Sequence, residues 1–137
     1  GGSYNRGWAG GPLALMHEYI AGIQPTSPAF DTYTVRPQLG PLTEINAVSQ
    51  TPKGLVRVEI LREPEVFRLK LISPGGSTAI VAFPLEKYDH QAIRVNDQPL
   101  WLNGASNGEV PGITPVGVGD GWTRFSVAPG TWNFESR

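Results

Sequence analysis

The sequence predicts a mostly β fold: an antiparallel β-sandwich, of immunoglobulin-like or jelly-roll order, preceded by one N-terminal α-helix. Three observations predict it. Apolar and polar residues alternate with a period of two along a series of short segments after residue 30. Proline and glycine punctuate those segments at short intervals, as turns between strands require. A helical period occurs once, near the start, and does not return.

Residues 10–23, GGPLALMHEYIAGI, carry that helix. Pro12 suits the first turn, where a missing N–H costs nothing, and Gly22 suits a left-handed C-terminal cap with Ile23 behind it. Pro12, Met16, Tyr19, Ile20 and Ile23 recur at three- and four-residue steps, and Leu13 and Leu15 widen the stripe. A helix apolar over so much of its circumference needs apolar neighbours on more than one side, and one small sandwich does not supply them. The expectation is that the chain is a piece of something longer. Alone, it would leave Leu13, Met16, Ile20 and Ile23 without a cover, so that the helix packs on the sandwich, pairs two copies or is poorly ordered.

A connector, QPTSPAF, follows, extended by Pro25 and Pro28. Residues 1–28 therefore form one unit, helix and linker, and 29–137 the sandwich. Residues 30–36 alternate and end at Pro37, a strand pattern. Residues 55–60 and 66–71 alternate likewise across Arg62-Glu63-Pro64-Glu65 and read as a hairpin with one buried face. Residues 78–83 are more uniformly apolar, as a central strand would be. Residues 92–95 and 99–102 flank Asn96-Asp97-Gln98 as a second hairpin. Residues 122–127 and 131–135 flank a turn at Ala128-Pro129-Gly130. The 108 residues from Phe30 onward match the roughly 100 of an immunoglobulin-like sandwich. Residues 103–121 hold six glycines and two prolines in nineteen positions, a long loop with room for one irregular strand around 112–118.

Composition narrows the function classes. With 39% hydrophobic and 17% charged residues the chain reads as globular. No apolar run approaches the roughly 20 residues of a membrane helix. The net charge of −1, with scattered Lys and Arg, argues against a nucleic-acid partner. Without cysteine, and with only His17 and His90 far apart, no metal site or other cofactor site is expected. The first residues assign no compartment.

Few residues offer chemistry. A glycosidase would need two carboxylates roughly 5–10 Å apart. The twelve acids here are dispersed, and Asp31, Glu59, Glu86 and Glu135 fall at solvated positions. Glu18, on the helix, is placed to reach a neighbouring element. Gly117-x-Gly119-x-Gly121 precedes no helix and so lacks the dipole of a phosphate loop. Of the four tryptophans, Trp122 and Trp132 read as core residues, and Trp101, beside the long loop, is the candidate glycan platform. Residues 3–12, polar, aromatic and glycine-rich before an apolar helix, suit either the lining of a cleft or a plain approach to the helix.

Read as an ordered string, Ser3-Tyr4-Asn5-Arg6-Gly7-Trp8-Ala9-Gly10-Gly11-Pro12, then Tyr19-Ile20-x-Gly22-Ile23-x-Pro25 and Pro28-x-Phe30, resembles the end of the catalytic domain of bacterial α-L-rhamnosidases, glycoside hydrolase family 78. Val35-Arg36-Pro37-Gln38-Leu39-Gly40-x-Leu42 and Thr51-Pro52-Lys53-Gly54 are similar to that family's crossing into a C-terminal sandwich. The resemblance covers residues 3–60. It implies a parent that releases terminal α-L-rhamnose with inversion from a site in an α/α barrel, with the paired acids upstream of this chain. It makes the barrel the missing partner, carbohydrate the substrate, and the uncovered helix a dimer surface. Trp8 would wall the sugar pocket. Arg6 stands where the family has a histidine, and a guanidinium cannot act as a neutral imidazole. That points to a different, more acidic sugar or to a divergent hydrolase. The fragment alone is expected to be inactive. A self-sufficient carbohydrate-binding or adhesion module, with Trp101 as its platform, is the alternative.

Overall fold

The computed structural model describes residues 11–85 and 91–137. In chain order the elements are α1 (Gly11–Ala21), β1 (Ile23–Pro25), a 3-10 turn (Pro28–Phe30), β2 (Thr32–Val35), β3 (Glu44–Thr51), β4 (Gly54–Arg62), β5 (Phe67–Ser73), β6 (Thr78–Pro84), β7 (Ala92–Val95), β8 (Gln98–Leu102), β9 (Ala105–Ser106), β10 (Ile113–Gly119), β11 (Trp122–Val127) and β12 (Gly130–Ser136). They form two packed sheets, one ordered β1-β2-β6-β11-β10 and the other β3-β4-β5-β12-β7-β8-β9. This is the β-sandwich with one N-terminal helix that the sequence pattern predicts.

Alternation dictates the packing. In the β4–β5 hairpin Val58 lies opposite Leu71 and Ile60 opposite Leu69, all four buried, while Glu59 and Lys70 stand opposite each other on the outer face. The uniformly apolar β6 occupies the centre of its sheet. It runs parallel to β2, the one parallel pair among the described residues, because the chain leaves for the other sheet as β3, β4 and β5 before it returns. Asn96 and Asp97 both take positive φ, 48° and 63°, and make the tight turn of the β7–β8 hairpin.

Between the sheets lies an aromatic cluster. Phe83 meets Phe134 at 5.3 Å, Phe125 at 6.1 Å and Phe67 at 6.3 Å between ring centroids. The Tyr33 hydroxyl on β2 and the Ser73 hydroxyl on β5 share a buried 2.6 Å hydrogen bond, tying one sheet to the other. An isolated buried hydroxyl would cost on the order of 1–3 kcal/mol, so the two protect each other.

The structure differs from the sequence reading in four places. Ile23–Pro25, expected as the end of the helical segment and the start of the connector, is an edge strand paired with β2. Glu44–Thr51 is a strand that the apolar pattern does not announce. The nineteen-residue loop contains, besides the strand expected around 112–118, which is β10, the short strand β9. The turn at 128–130 joins strands of different sheets, so β11 and β12 do not pair. The phase of β11 also turns Thr123, Phe125 and Val127 inward, so Trp122 lies on the outer face, with the Arg36 guanidinium 5.1 Å from its ring centroid.

Candidate functional site

The helix α1 occupies the seam of the sandwich. It touches β3, the edge of the seven-stranded sheet, and β1, the edge of the five-stranded one. Its C-terminus is fixed by backbone geometry. Gly22, at φ 73°, donates its N–H to the Tyr19 carbonyl at 3.1 Å and accepts from the Arg36 N–H at 3.2 Å, while the Gln38 N–H bonds the Ile20 carbonyl at 2.9 Å. The predicted glycine cap therefore also welds the helix to the strand that follows it.

The face turned to the sandwich is not the apolar one. Ala21 is fully buried and Ile20 packs partly against the core. Beside them, His17 donates through Nδ1 to the Asn46 carbonyl of β3 at 2.8 Å, covering an edge-strand group that would otherwise need water. Glu18 lies against the same strand. Burial pushes its carboxyl above its ordinary value, and a hydrogen bond with Ser49 offsets part of that. The opposite face carries Leu13, Leu15, Met16 and Tyr19, exposed by 64, 66, 58 and 81%. At 100° per residue these four span roughly 160° of the helix surface, a continuous apolar arc in water. Of the stripe expected from the sequence, Leu13, Met16 and Tyr19 lie on this arc; Ile20 falls at the same angle but, next to the helix C-terminus, packs partly against the core, and Ile23 is buried in β1. Leu15, which widens the expected stripe, completes the arc.

Glu18 gives a pH signature. Its native carboxyl holds a proton more tightly than the unfolded one, so its contribution to stability is full below 4.5 and is lost as pH rises through the native value. Glu18→Gln is expected to remove this decline. Melting curves between pH 4 and 7 should show a flatter profile for the variant and at least wild-type stability at pH 7. A variant less stable than wild type at pH 7 would contradict the assignment.

The remaining candidates fall elsewhere. Arg6 and Trp8 lie outside the described residues, as does Glu86. Asp31 pairs with Lys53 at 2.8 Å and Glu135 with Arg68 at 2.5 Å, both surface ion pairs. Desolvation alone would raise the Glu135 carboxyl, but Arg68 and Arg137 outweigh it and hold it below its ordinary value. Trp101 is not a platform. It is 5% exposed, its ring set edge-on to Phe125 at 6.0 Å, and it offers no face for a sugar to stack on. The cause is a bulge between Ile93 and Arg94 in the register with β8, which turns the consecutive Leu100 and Trp101 both inward. Among the described residues no group of His, Asp and Glu is placed to hold a metal, and no helix is long and apolar enough to cross a membrane.

Residues 22–96 match the family model of the bacterial alpha-L-rhamnosidase C-terminal domain. Among solved structures, the alpha-L-rhamnosidase from Dictyoglumus thermophilum is 19% identical with a TM-score of 0.72, over 86% of this chain and 12% of that one. The Streptomyces avermitilis alpha-L-rhamnosidase complexed with L-rhamnose is 23% identical with a TM-score of 0.69, over 90% of this chain and 10% of that one. At these identities the likeness is one of fold. The chain thus spans 10–12% of the length of the two solved proteins. No curated protein matches it.

Proposed function

The chain belongs to the bacterial α-L-rhamnosidase C-terminal domain family, and from that premise we propose that its sandwich braces the catalytic barrel of a glycoside hydrolase through α1. In this reading residues 1–28 are the last helix of that barrel and its linker, and 29–137 are the accessory domain. Arg6 and Trp8 line the sugar pocket. The parent hydrolyses terminal α-L-rhamnose, or a related sugar, by inversion, with both carboxylates supplied by upstream barrel segments.

One observation carries the reading: α1 presents its apolar arc of Leu13, Leu15, Met16 and Tyr19 away from the sandwich it is welded to. A helix belonging to the sandwich alone would bury that face and wet the side of His17 and Glu18. The small share of the related solved chains that this one spans supports a large partner domain.

Two measurements test it. The 137-residue chain is expected to show no turnover of an aryl α-L-rhamnoside. It is also expected to self-associate in sedimentation, with Leu15→Glu combined with Tyr19→Glu restoring the monomer at an unchanged melting temperature. In the complete protein the same double change is expected to open the junction to proteolysis. Turnover by the chain alone, or a wild-type chain that stays monomeric at high concentration, would refute the reading.

A further inference from the structure

The outer face of the seven-stranded sheet holds a groove of about 720 Å³ running across β3, β4, β5, β12 and β7. That volume lies within the roughly 300–1,000 Å³ of small-molecule sites. Strand register sets its floor in two rows. In one, Glu44, Leu61, Arg68, Glu135 and Arg94 lie opposite one another in turn. In the other the sequence is Asn46, Glu59, Lys70 and Asn133. Asn96 and Asp97, in the β7–β8 turn, close one end.

The two rows differ in how their side chains are used. The first is largely spent on the protein itself: Arg68 bridges Glu63 and Glu135, and the Arg94 guanidinium bonds the Asp97 carbonyl. The second row is not. Glu59 and Lys70 are cross-strand neighbours yet form no ion pair among the described residues, and Asn46 and Asn133 take part in hydrogen bonds through their backbone only. Two amides, a carboxylate and an ammonium thus stand side by side at strand spacing, about 4.8 Å apart, across a partly enclosed surface.

From these side chains the geometry points to a binding site for a neutral oligosaccharide on the outer face of the seven-stranded sheet. Amides both donate and accept, the carboxylate accepts and the ammonium donates, a set that matches hydroxyls, which do both. The lining carries four carboxylates against three cations, so neither a polyanion nor a polycation is favoured. A nucleic acid would need a basic face. A protein partner would need an apolar centre, and the outward apolar side chain here is the single, 42% exposed Leu61. With no outward aromatic ring among the described residues of this face, affinity is weak, in the millimolar range, as suits a site that holds substrate near a catalytic domain rather than one that captures it.

This site does not depend on the reading of α1, which is tested by sedimentation and proteolysis. Its own test is a titration of the isotopically labelled 137-residue chain, followed by amide chemical shifts. The probes are a rhamnose-terminated trisaccharide, maltotriose, xylotriose and, as the charged comparison, trigalacturonate. At least one neutral probe is expected to shift amides of β3, β4, β5 and β12. Lys70→Met and Asn133→Ala, both on the outer face and outside the core, are each expected to weaken it by roughly tenfold at unchanged melting temperature, because one or two ligand hydrogen bonds are lost. No response to any neutral probe, shifts on another face, a response to trigalacturonate alone, or undiminished affinity in both variants would overturn the proposal.

Discussion

Replacing Phe83 by alanine is expected to lower the unfolding midpoint by roughly 10–20 °C, the largest effect of any single truncation in the core. Phe83 is fully buried at the middle of the sheet-to-sheet interface, and its ring is the one shared by Phe67, Phe125 and Phe134. Truncation removes the transfer free energy of the ring and leaves a void that three other rings cannot fill without leaving their rotamers. The cost is about 3–5 kcal/mol, a large part of the 5–15 kcal/mol by which domains are stable. Phe83→Leu, which keeps most of the volume, should lose clearly less. Calorimetry on the three proteins checks both statements. A midpoint shift of only a few degrees for the alanine variant would mean that the aromatic cluster is not the centre of the core.

The second large effect is expected at Gly22→Ala. Its φ of 73° already disfavours any side chain by roughly 1–2 kcal/mol. A Cβ there would also stand 2.0 Å from the Arg36 carbonyl oxygen and 2.7 Å from the Arg36 nitrogen, both backbone atoms of the segment to which α1 is welded. No rotamer change relieves that contact, so the helix must lift or the β1–β2 pairing must shift. A loss of at least about 3 kcal/mol is expected, in the range diagnostic of backbone strain. Gly40→Ala is the control: φ is 59°, but nothing lies within 4 Å of the added carbon, so only the conformational cost applies. Hydrogen exchange should show protection lost first in α1 and β1 for the Gly22 variant. Equal destabilisation by the two substitutions would show that the close approach at Arg36 does not matter.

Both predictions touch on what a chain of residues can and cannot reveal about its fold. The β4–β5 and β7–β8 hairpins were legible because their inward residues are large and their turns carry recognisable residues. β3 was not, since its inward positions are Ile45, Ala47 and Ser49, and two of the three are small. α1 lies against that edge, a contact with no local trace in the sequence. β10 was only half legible: Ile113 alone is buried, Val116 and Val118 face water, and glycines break the pattern. For the candidate site, the over-apolar helix was read directly, but which residues face out was not. Ile20 and Tyr19 are neighbours in sequence, yet one meets the core and the other is 81% exposed.

The sequence by itself determined the sandwich, the single helix with its glycine cap, and the ordered string of residues 3–60 that ties the chain to its family, because each of these is written in local periodicity, turn chemistry or motif order. Only the tertiary structure decided that Trp101 is buried, that β11 and β12 part into different sheets, that α1 turns its apolar arc outward, and that Asn46, Glu59, Lys70 and Asn133 form one row. Those outcomes depend on register, on a one-residue bulge and on which strand edges a helix meets. Each is set by contacts between residues far apart in the chain, and no local pattern encodes them.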